Sequence, residues 1–415
     1  MRLQSKTSLK MAVIADDLTG SCDTAAQFSS YGLTTAITSD ITVSCDFPVE
    51  VIVVNTATRS VPEEKARSIV SLTLKRLKQL NRKVFYKKID STAKGNWVAE
   101  IKEVMKIMQP NIVIVAPAFP TWGRTIKNGI LCIKGHRTPS AISRHNAKFN
   151  NVDLFCKLQS AFGSQVNLIR REILLQRASE IERYIRQKDH RIFLFDVENN
   201  SDLKEIVEVG CRLEKKILWV GSAGLARFLP FGWGYSQVEA AGNSLEIQKP
   251  TLLVCGSLNP TNKEQIEYLE SRGMATNITI QSEDFFSNSS KRGKLKLARS
   301  ELSNGKSIAL SLQLDKGSHP FKHLQRIHDT LQEIIRTLLN EGIVGPLILV
   351  GGDTALKVVQ QTEAKAIQIL GEVELGIPYG RWIGGKLENY PLVTKAGGFG
   401  HKETLCKIMQ FFKKN

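Results

Sequence analysis

The sequence predicts an α/β protein made of two α/β domains with largely parallel sheets and an active-site cleft between the domains. Short apolar runs, such as VIVV at 51–54 and IVIV at 112–115, alternate with amphipathic helical runs along the chain. This alternation is typical of helices that cover the faces of parallel sheets. Between 231 and 249 the periodicity is lost in a polar, Gly-containing stretch, which predicts a domain boundary there.

The first domain is predicted to span residues 1–235. Its strands are predicted near 11–15, 34–39, 50–54, 83–89, 111–116, 191–196 and 216–220. Its helices are predicted near 20–31, 61–79, 97–107, 177–188, 201–213 and 222–229.

The second domain is predicted to span residues 236–415. Its strands are predicted near 251–255, 276–281, 307–312 and 347–350, and its helices near 261–272, 292–303, 322–340 and 354–362. The last part, 370–400, is Gly-rich and strand-like, and a short helix is predicted from 402.

The composition favours an anionic partner. The 415 residues include 57 Lys and Arg against 40 Asp and Glu, which gives a net charge of +17. The densest basic run, 291–296, contains no aromatic residue, so we interpret it as a solvated helix face and not as a nucleic-acid patch. Every apolar run is shorter than the roughly 18 residues of a membrane helix, and residues 1–10 show no secretory signal. We therefore expect a cytoplasmic protein without membrane or nucleic-acid partners.

Cysteine and histidine spacing gives no metal signal. The seven cysteines include no C-x-x-C pair, and the seven histidines show no ligand spacing. The sequence therefore predicts neither a disulfide framework nor a zinc site.

Polar residues follow several strands of the first domain. Asp16 and Asp17 come after the first strand, where open α/β sheets bind ligands. Two adjacent acids there suit hydrogen bonding to hydroxyl groups or proton abstraction, although Asp17 or Thr19 could simply cap the following helix.

A second polar cluster follows the strand at 83–89. Strand alternation places Lys88 and Asp90 on one side and Lys87 on the other. Asp90 with Ser91 could open a helix, yet Lys88 and Lys94, which flank these small polar groups, suggest a cradle for a carboxylate or a phosphate. Two arginines, Arg59 and Arg124, follow other strands and offer donor forks suited to a carboxylate.

Gly-rich turns follow three strands of the second domain, at 255–257, 351–355 and 395–400. Glycine lets the backbone approach a phosphate, and helix N-termini attract anions, so these turns predict a nucleotide-phosphate site. The segment 300–307 ends like a P-loop but runs from helix to strand, which excludes it. The turn at 221–224 fits either a phosphate or close packing.

Seven ordered motifs resemble those of the four-carbon acid sugar kinase family. The motifs are IADDLTGSCDTA at 14–25, KKIDSTAKGN at 87–96, APAFPTWGR at 116–124, VGSAGLA at 220–226, CGSLNPTNKEQI at 255–266, GGDTA at 351–355 and TKAGGFG at 394–400. The resemblance implies an N-terminal acid-sugar-binding domain, a C-terminal ATP-binding domain, and Mg²⁺- and ATP-dependent phosphorylation of the terminal hydroxyl of a tetronate such as threonate, erythronate or a 3-oxo-tetronate.

The resemblance also implies roles for single residues. The ATP contacts would be Ser257, Gly351, Gly352, Asp353, Thr354 and Gly397. Our own hypothesis adds Asp353 as a direct or water-mediated Mg²⁺ ligand. The sugar acid would lie among Asp16, Asp17, Arg59, Lys88, Asp90, Ser91 and Arg124. In our hypothesis Arg59, Lys88 and Arg124 bind the substrate carboxylate, and Asp17 or Asp16 orients or deprotonates the hydroxyl, with Asp90 as the competitor.

The substrate domain departs from the family pattern in four places. Asn55 replaces the usual Asp, Ala93-Lys94 replaces Leu-Arg, Ile130-Leu131 replaces a polar pair, and the Thr…Asp-Pro segment expected near 138–150 is not recognisable. The substrate is therefore less defined than the kinase reaction. A sugar-acid-binding regulator and a basic nucleic-acid-binding protein are the alternatives, and a homodimer is carried as a hypothesis.

Overall fold

The computed structural model describes residues 11–40, 49–80, 83–133, 151–238, 249–281, 284, 287–313 and 320–412. The chain forms two compact units, residues 1–239 and residues 240–415. In both units the buried strands are rich in Val, Ile and Leu, as expected for parallel strands covered on both faces.

The first unit is built on a parallel sheet whose strands follow the order β2-β3-β1-β4-β11-β5-β10-β9. A small antiparallel sheet, β6-β7-β8, accompanies it. The strands are β1 (Met11–Ala15), β2 (Thr35–Thr38), β3 (Val51–Asn55), β4 (Lys83–Lys88), β5 (Ile112–Ala116), β6 (Arg124–Lys127), β7 (Ile130–Ile133), β8 (Asn151–Asp153), β9 (Val166–Ile169), β10 (Ile192–Phe195) and β11 (Ile217–Gly221).

The helices of the first unit connect these strands. They are α1 (Leu18–Ser29), α2 (Glu63–Gln79), α3 (Trp97–Met108), α4 (Leu154–Phe162), α5 (Arg171–Leu174), α6 (Ala178–Gln187), α7 (Asn200–Arg212), α8 (Ala223–Ala226) and α9 (Leu229–Gly232). Helix α1 packs against α8, and α2 packs against α3. The chain runs to one side of β1 through α1 and to the other through α2 and α3, so right-handed crossovers place α1 on the opposite face from α2 and α3.

The second unit has the strand order β13-β14-β12-β15-β18-β17-β16, in which β17 runs antiparallel to both neighbours. Its strands are β12 (Leu252–Cys255), β13 (Thr276–Ile280), β14 (Ile308–Leu312), β15 (Leu347–Val350), β16 (Ala366–Glu374), β17 (Ile377–Ile383) and β18 (Pro391–Lys395). Its helices are α10 (Pro260–Ser271), α11 (Asn288–Ser303), α12 (Pro320–Asn340), α13 (Gly352–Gln361) and α14 (Thr404–Phe411). Helices α10 and α14 pack together, and Ile408 of α14 shares a hydrophobic core with Leu253, Ile348 and Val393 of the strands.

The predicted α/β class with largely parallel sheets is confirmed. The strands predicted from apolar runs are present, and most helix bounds differ from the predicted ones by one or two residues. The helix predicted at 222–229 is wrong in extent, because two short helices, α8 and α9, occupy this region. The sequence analysis also missed strands β6 to β9 and helices α4 and α5. The hairpin β6–β7 turns at Asn128-Gly129, both with positive φ, a turn sequence that strongly favours hairpins.

Two further expectations concern the chain as a whole. None of the helices in the described ranges is long and apolar enough to span a bilayer. The six cysteines that the structure describes are free thiols, while Cys45 lies outside the described residues. Residues 138–150, where a family segment was not recognisable, also lie outside them.

Candidate active site

Three neighbouring strands of the first sheet, β3, β1 and β4, end in the charged residues that the sequence singles out. Asp16 and Asp17 follow β1, Arg59 lies in the loop after β3, and Lys88 and Asp90 lie at the end of β4. The helices that follow β1 and β4 lie on opposite faces of the sheet. Such a switch point leaves a crevice at the carboxyl ends of the strands, where ligands bind in open α/β sheets.

Arg59 joins the acids of this edge. Its Nε donates to Asp16 Oδ2 (2.8 Å), and its Nη2 donates to Asp16 Oδ1 (3.0 Å) and Asp17 Oδ1 (2.6 Å). Burial alone would raise the pKa of Asp16, but the charges of Arg59, Lys87 and Lys88 outweigh it and hold that pKa below its ordinary value. Asp16 is therefore an ionised, fully engaged partner of the guanidinium.

Asp17 caps helix α1 in addition to pairing with Arg59. Its Oδ1 accepts from the Gly20 backbone N–H (3.1 Å), and its Oδ2 accepts from the Thr19 hydroxyl (2.7 Å). The capping interpretation is thus right for Asp17. Both of its carboxylate oxygens are occupied by groups of the protein.

Asp90 has one carboxylate oxygen available. Its Oδ2 accepts from the backbone N–H (3.2 Å) and the hydroxyl of Thr92. Its Oδ1 makes no hydrogen bond in the described part of the chain and lies 3.8 Å from Arg59 Nη1. Burial would raise the pKa of Asp90, but Arg59, the Thr92 hydroxyl and Lys88 together lower it. The alternative that Asp90 opens a helix is wrong, because Asp90 begins a turn and α3 begins only at Trp97.

Lys88 places a buried cation at the start of α1. The residue is 4% exposed, and its ammonium makes no hydrogen bond or ion pair with any residue that the structure describes. A methyl group on Gly20 would lie 2.5 Å from Lys88 Nζ, so the ammonium rests against the first turn of α1. Lys87 points to the other side, as predicted, and pairs with Glu100 (2.6 Å) where both are fully buried. Because an unpaired buried charge is costly, Lys88 is suited to an anionic ligand.

Arg124 and Ser91 border the same edge. Arg124 lies in strand β6, is 8% exposed, and donates from Nη1 to the Trp122 carbonyl. Burial lowers the pKa of Arg124, and the charge of Asp90 opposes this shift, which indicates that the two lie near each other. Ser91 is half-buried in the turn after Asp90.

Sequence reasoning missed the residues that hold the Arg59 loop. Asn96 Nδ2 donates to the carbonyls of Thr58 (2.9 Å) and Val61 (2.8 Å) and fastens the loop that carries Arg59. Asn96 is the last residue of the motif at 87–96, and this position could have indicated that it has a role in the site. Asn55, a departure from the family pattern, accepts from the Ala57 N–H (3.1 Å) and donates to Ser39 (3.1 Å). This departure therefore shapes the loop and does not alter the charged cluster.

The Gly-rich turns of the second unit meet at the ends of the neighbouring strands β12, β15 and β18. A methyl group on Gly397 would overlap Ser257 Oγ, and one on Gly256 would overlap Thr354 Oγ1. Helices α10 and α13 begin at these turns, so backbone N–H groups converge there as in anion sites. Asp353 is exposed in the first turn of α13, beside Gly351 and Gly352.

The turn at 221–224 is a packing feature and not a phosphate turn. The Ser222 hydroxyl donates to the Ala118 carbonyl (2.8 Å) and accepts from the Gly224 N–H (3.1 Å). The Tyr86 hydroxyl donates to the Ser222 carbonyl. These groups are buried and satisfied by one another, which leaves no donors for a ligand.

Comparison with known proteins identifies both units. A family model described as a sugar-binding N-terminal domain matches residues 11–229, and one described as a nucleotide-binding C-terminal domain matches residues 252–405. The chain belongs to the four-carbon acid sugar kinase family.

Members of this family resemble the chain over its whole length. A D-threonate kinase of Salmonella typhimurium is 27% identical over 98% of this chain and 99% of the relative. A 3-oxo-tetronate kinase of the same organism is 23% identical over 98% of this chain and 100% of the relative. A crystal structure of a Salmonella typhimurium protein named as a tRNA synthase superposes with a TM-score of 0.77, covering 96% of this chain and 98% of that one at 21% identity, which shows the shared fold alone.

Proposed function

We propose that the protein is an ATP-dependent kinase that phosphorylates the terminal hydroxyl of a four-carbon sugar acid of the threonate, erythronate or 3-oxo-tetronate type. The observation that carries this proposal is the buried Lys88 ammonium beside the carboxylates of the first unit. The Lys88 ammonium would bind the carboxylate of a ligand, and the neighbouring carboxylates would accept hydrogen bonds from its hydroxyl groups. A hydroxylated carboxylic acid fits both requirements. Whole-length similarity to named D-threonate and 3-oxo-tetronate kinases supports the same substrate class.

The cations of the site divide into two roles. Lys88 and Arg124 would bind the substrate carboxylate. Nε and Nη2 of Arg59 are occupied by Asp16 and Asp17, so Arg59 would offer only Nη1 to a ligand. Its main role would be to hold the two acids in place.

Asp90 would orient the attacking hydroxyl and accept its proton through Oδ1. Asp16 and Asp17 are less suited to this task because Arg59 and the α1 cap occupy their oxygens. A lowered pKa makes Asp90 a weak base, but phosphoryl transfer passes through a loose transition state that depends mainly on positioning. Ser91 would hydrogen-bond a further hydroxyl of the substrate.

The turns of the second unit would hold the triphosphate through Ser257, the run 351–354 and Gly397. The described residues contain no group of three His, Cys, Asp or Glu side chains that could hold a metal by themselves. Mg²⁺ would therefore enter with the nucleotide, bound mainly by phosphate oxygens and by Asp353 directly or through water, as Mg²⁺ commonly binds. When bound, it would neutralise charge on the phosphates. We also propose that the protein is a cytoplasmic enzyme.

A coupled ADP-release assay over four-carbon sugar acids tests the proposal, with Asp90→Asn as the decisive variant. We expect kcat to fall by about 10²-fold or more, as for loss of a general base, with little change in KM for ATP. Asp189→Asn, at an exposed position of the same unit, serves as the control and should keep full activity. An Asp90→Asn enzyme with near-normal kcat would remove Asp90 from the mechanism.

The same screen separates the alternatives. A sugar-acid regulator would bind an acid without releasing ADP, which would contradict the kinase proposal. A nucleic-acid-binding protein, favoured only by the charge of +17, would bind generic DNA with an affinity that falls steeply with salt.

A further inference from the structure

A buried lysine organises the nucleotide turns of the second unit. Lys395 ends β18 and is 0% exposed, and its Nζ donates to Asn262 Oδ1 (2.8 Å) and to the carbonyls of Phe399 (3.0 Å) and Ala396 (3.3 Å). Its own carbonyl accepts from the Gly351 N–H (3.0 Å). One residue thus connects the first turn of α10, the turn after β18 and the turn before α13.

This lysine also fixes the orientation of the Asn262 side chain. Burial lowers the pKa of Lys395 to about 8, with neighbouring Cys255 opposing the shift, so the ammonium keeps its proton at pH 7. An ammonium only donates hydrogen bonds. The oxygen of the Asn262 amide must therefore face Lys395, and Nδ2 must point away from it.

Nδ2 of Asn262 is a buried donor that lacks an acceptor. Asn262 is 1% exposed, and this nitrogen has no hydrogen-bond partner among the residues that the structure describes. This nitrogen lies 3.5 Å from the position that a methyl group on Gly397 would occupy. Ser257 lies next to the same position. Buried donors are nearly always satisfied in folded proteins, so an unsatisfied one at the N-terminus of α10 points to a ligand acceptor.

We propose that Asn262 is a further nucleotide ligand, whose Nδ2 donates to a phosphate oxygen in the space beside Ser257 and Gly397. This inference rests on the proposed function, since it requires a nucleotide at the Gly-rich turns. It adds a side-chain donor from α10 to the backbone N–H groups of those turns. The oxygen of the same amide stays with Lys395.

Asn262→Asp tests this contact in the full chain. The substitution keeps an acceptor for Lys395 and replaces the donor with an oxygen that repels phosphate. We expect the Kd of ADP, measured by calorimetry with Mg²⁺, to rise by at least about 30-fold, a loss typical of a hydrogen bond to a charged group. The Kd of adenosine, measured by competition, should stay within about threefold, because adenosine has no phosphate. Asn304→Asp makes the same charge change at the exposed end of α11 and should leave both constants unaltered.

The outcomes are distinguishable. ADP binding by Asn262→Asp within about threefold of the unaltered chain would overturn the assignment. Equal losses for ADP and adenosine would also overturn it, since a purely structural role affects both ligands. If the aspartate variant fails to fold, Asn262→Ala is measured with the same pair of ligands and the same criterion. Absence of ADP binding to the unaltered chain would overturn the proposed function itself.

Discussion

At the scale of the residue, most buried charges of the cluster in the first unit have an oppositely charged partner at hydrogen-bond distance, and Lys88 does not. Arg59 donates three hydrogen bonds to Asp16 and Asp17, and Lys87 forms an ion pair with Glu100. Lys88 is buried to a similar degree but has no such partner in the described residues. A protein gains nothing in stability from an unpaired buried ammonium, so its presence is best explained by a bound anion.

Lys88→Met should therefore separate binding from stability. We expect KM for the sugar acid to rise by about 10-fold or more, the loss of a charged hydrogen bond. The melting temperature should change little, because the removed cost of burying the ammonium offsets its lost attraction to Asp16 and Asp90. Lys106→Met, at an exposed position of helix α3, should change neither quantity. Substrate kinetics and thermal unfolding are measured on both variants. A lower melting temperature with normal KM would show that Lys88 is structural.

At the scale of the element, the first turn of α1 sets the position of that ammonium. Gly20 lies between the Asp17 carboxylate and Lys88 Nζ, and any side chain at this position would overlap both. The start of α1, its Asp17 cap and the Lys88 ammonium are thus packed together. A glycine inside a helix usually weakens it, which makes its presence here informative.

Gly20→Ala should impair substrate use in spite of the better helix propensity of alanine. The added methyl group displaces Lys88 Nζ or the Asp17 cap, so we expect kcat/KM for the sugar acid to fall by about 10-fold or more, comparable to a lost charged hydrogen bond. Gly293→Ala is the matched helical control, because nothing lies within 4 Å of its added methyl group. It should stabilise α11 by about 0.5–1 kcal/mol and leave kinetics unchanged. Normal kinetics of Gly20→Ala would contradict this account of the turn.

At the scale of the whole molecule, the acid cluster should make stability depend on pH. Asp16 and Asp90 have lower pKa values in the fold than the ordinary 3.8. Their contribution is present above pH 3.8 and is lost as the pH falls through the lowered values, since the unfolded chain then binds more protons. Arg59 is the main opposite charge that produces this difference.

Arg59→Gln should therefore destabilise the protein most near neutral pH. We expect a loss of about 3 kcal/mol at pH 7, where the buried carboxylates stay charged without their partner, and a smaller loss near pH 3, where they take up protons. Thermal unfolding followed across this pH range is the measurement. Arg183→Gln, at an exposed position, should unfold like the unaltered protein throughout. A difference for Arg59→Gln that grows toward pH 3 would contradict the ion-pair account.

Only part of the fold and of the candidate site could be predicted from the sequence. Apolar periodicity predicted the parallel strands, and the rule that ligands bind at strand ends brought Asp16, Arg59, Lys88 and Asp90 to one edge. Neither rule showed which nitrogen donates to which oxygen. The bidentate contact between Arg59 and Asp16 depends on the register of β1 against β3 and on the loop that Asn96 holds in place. The hairpin β6–β7 was missed since Pro and Gly around 117–123 favoured a loop. The buried donor of Asn262 depends on its distance to Lys395, 133 positions along the chain, which periodicity does not report.

The Asn96 clamp limits where this protein can be recombined with its relatives. Because Asn96 holds the carbonyls of Thr58 and Val61, the conformation of the loop that carries Arg59 depends on the segment after β4. The ion pair of Arg67 with Glu103 adds a second tie across the same interval. A chimaera whose crossover falls between 62 and 96 would combine mismatched parental halves of this clamp, whereas crossovers beyond α3 inherit it intact. Libraries built to exchange substrate preference should therefore place their junctions after Met108.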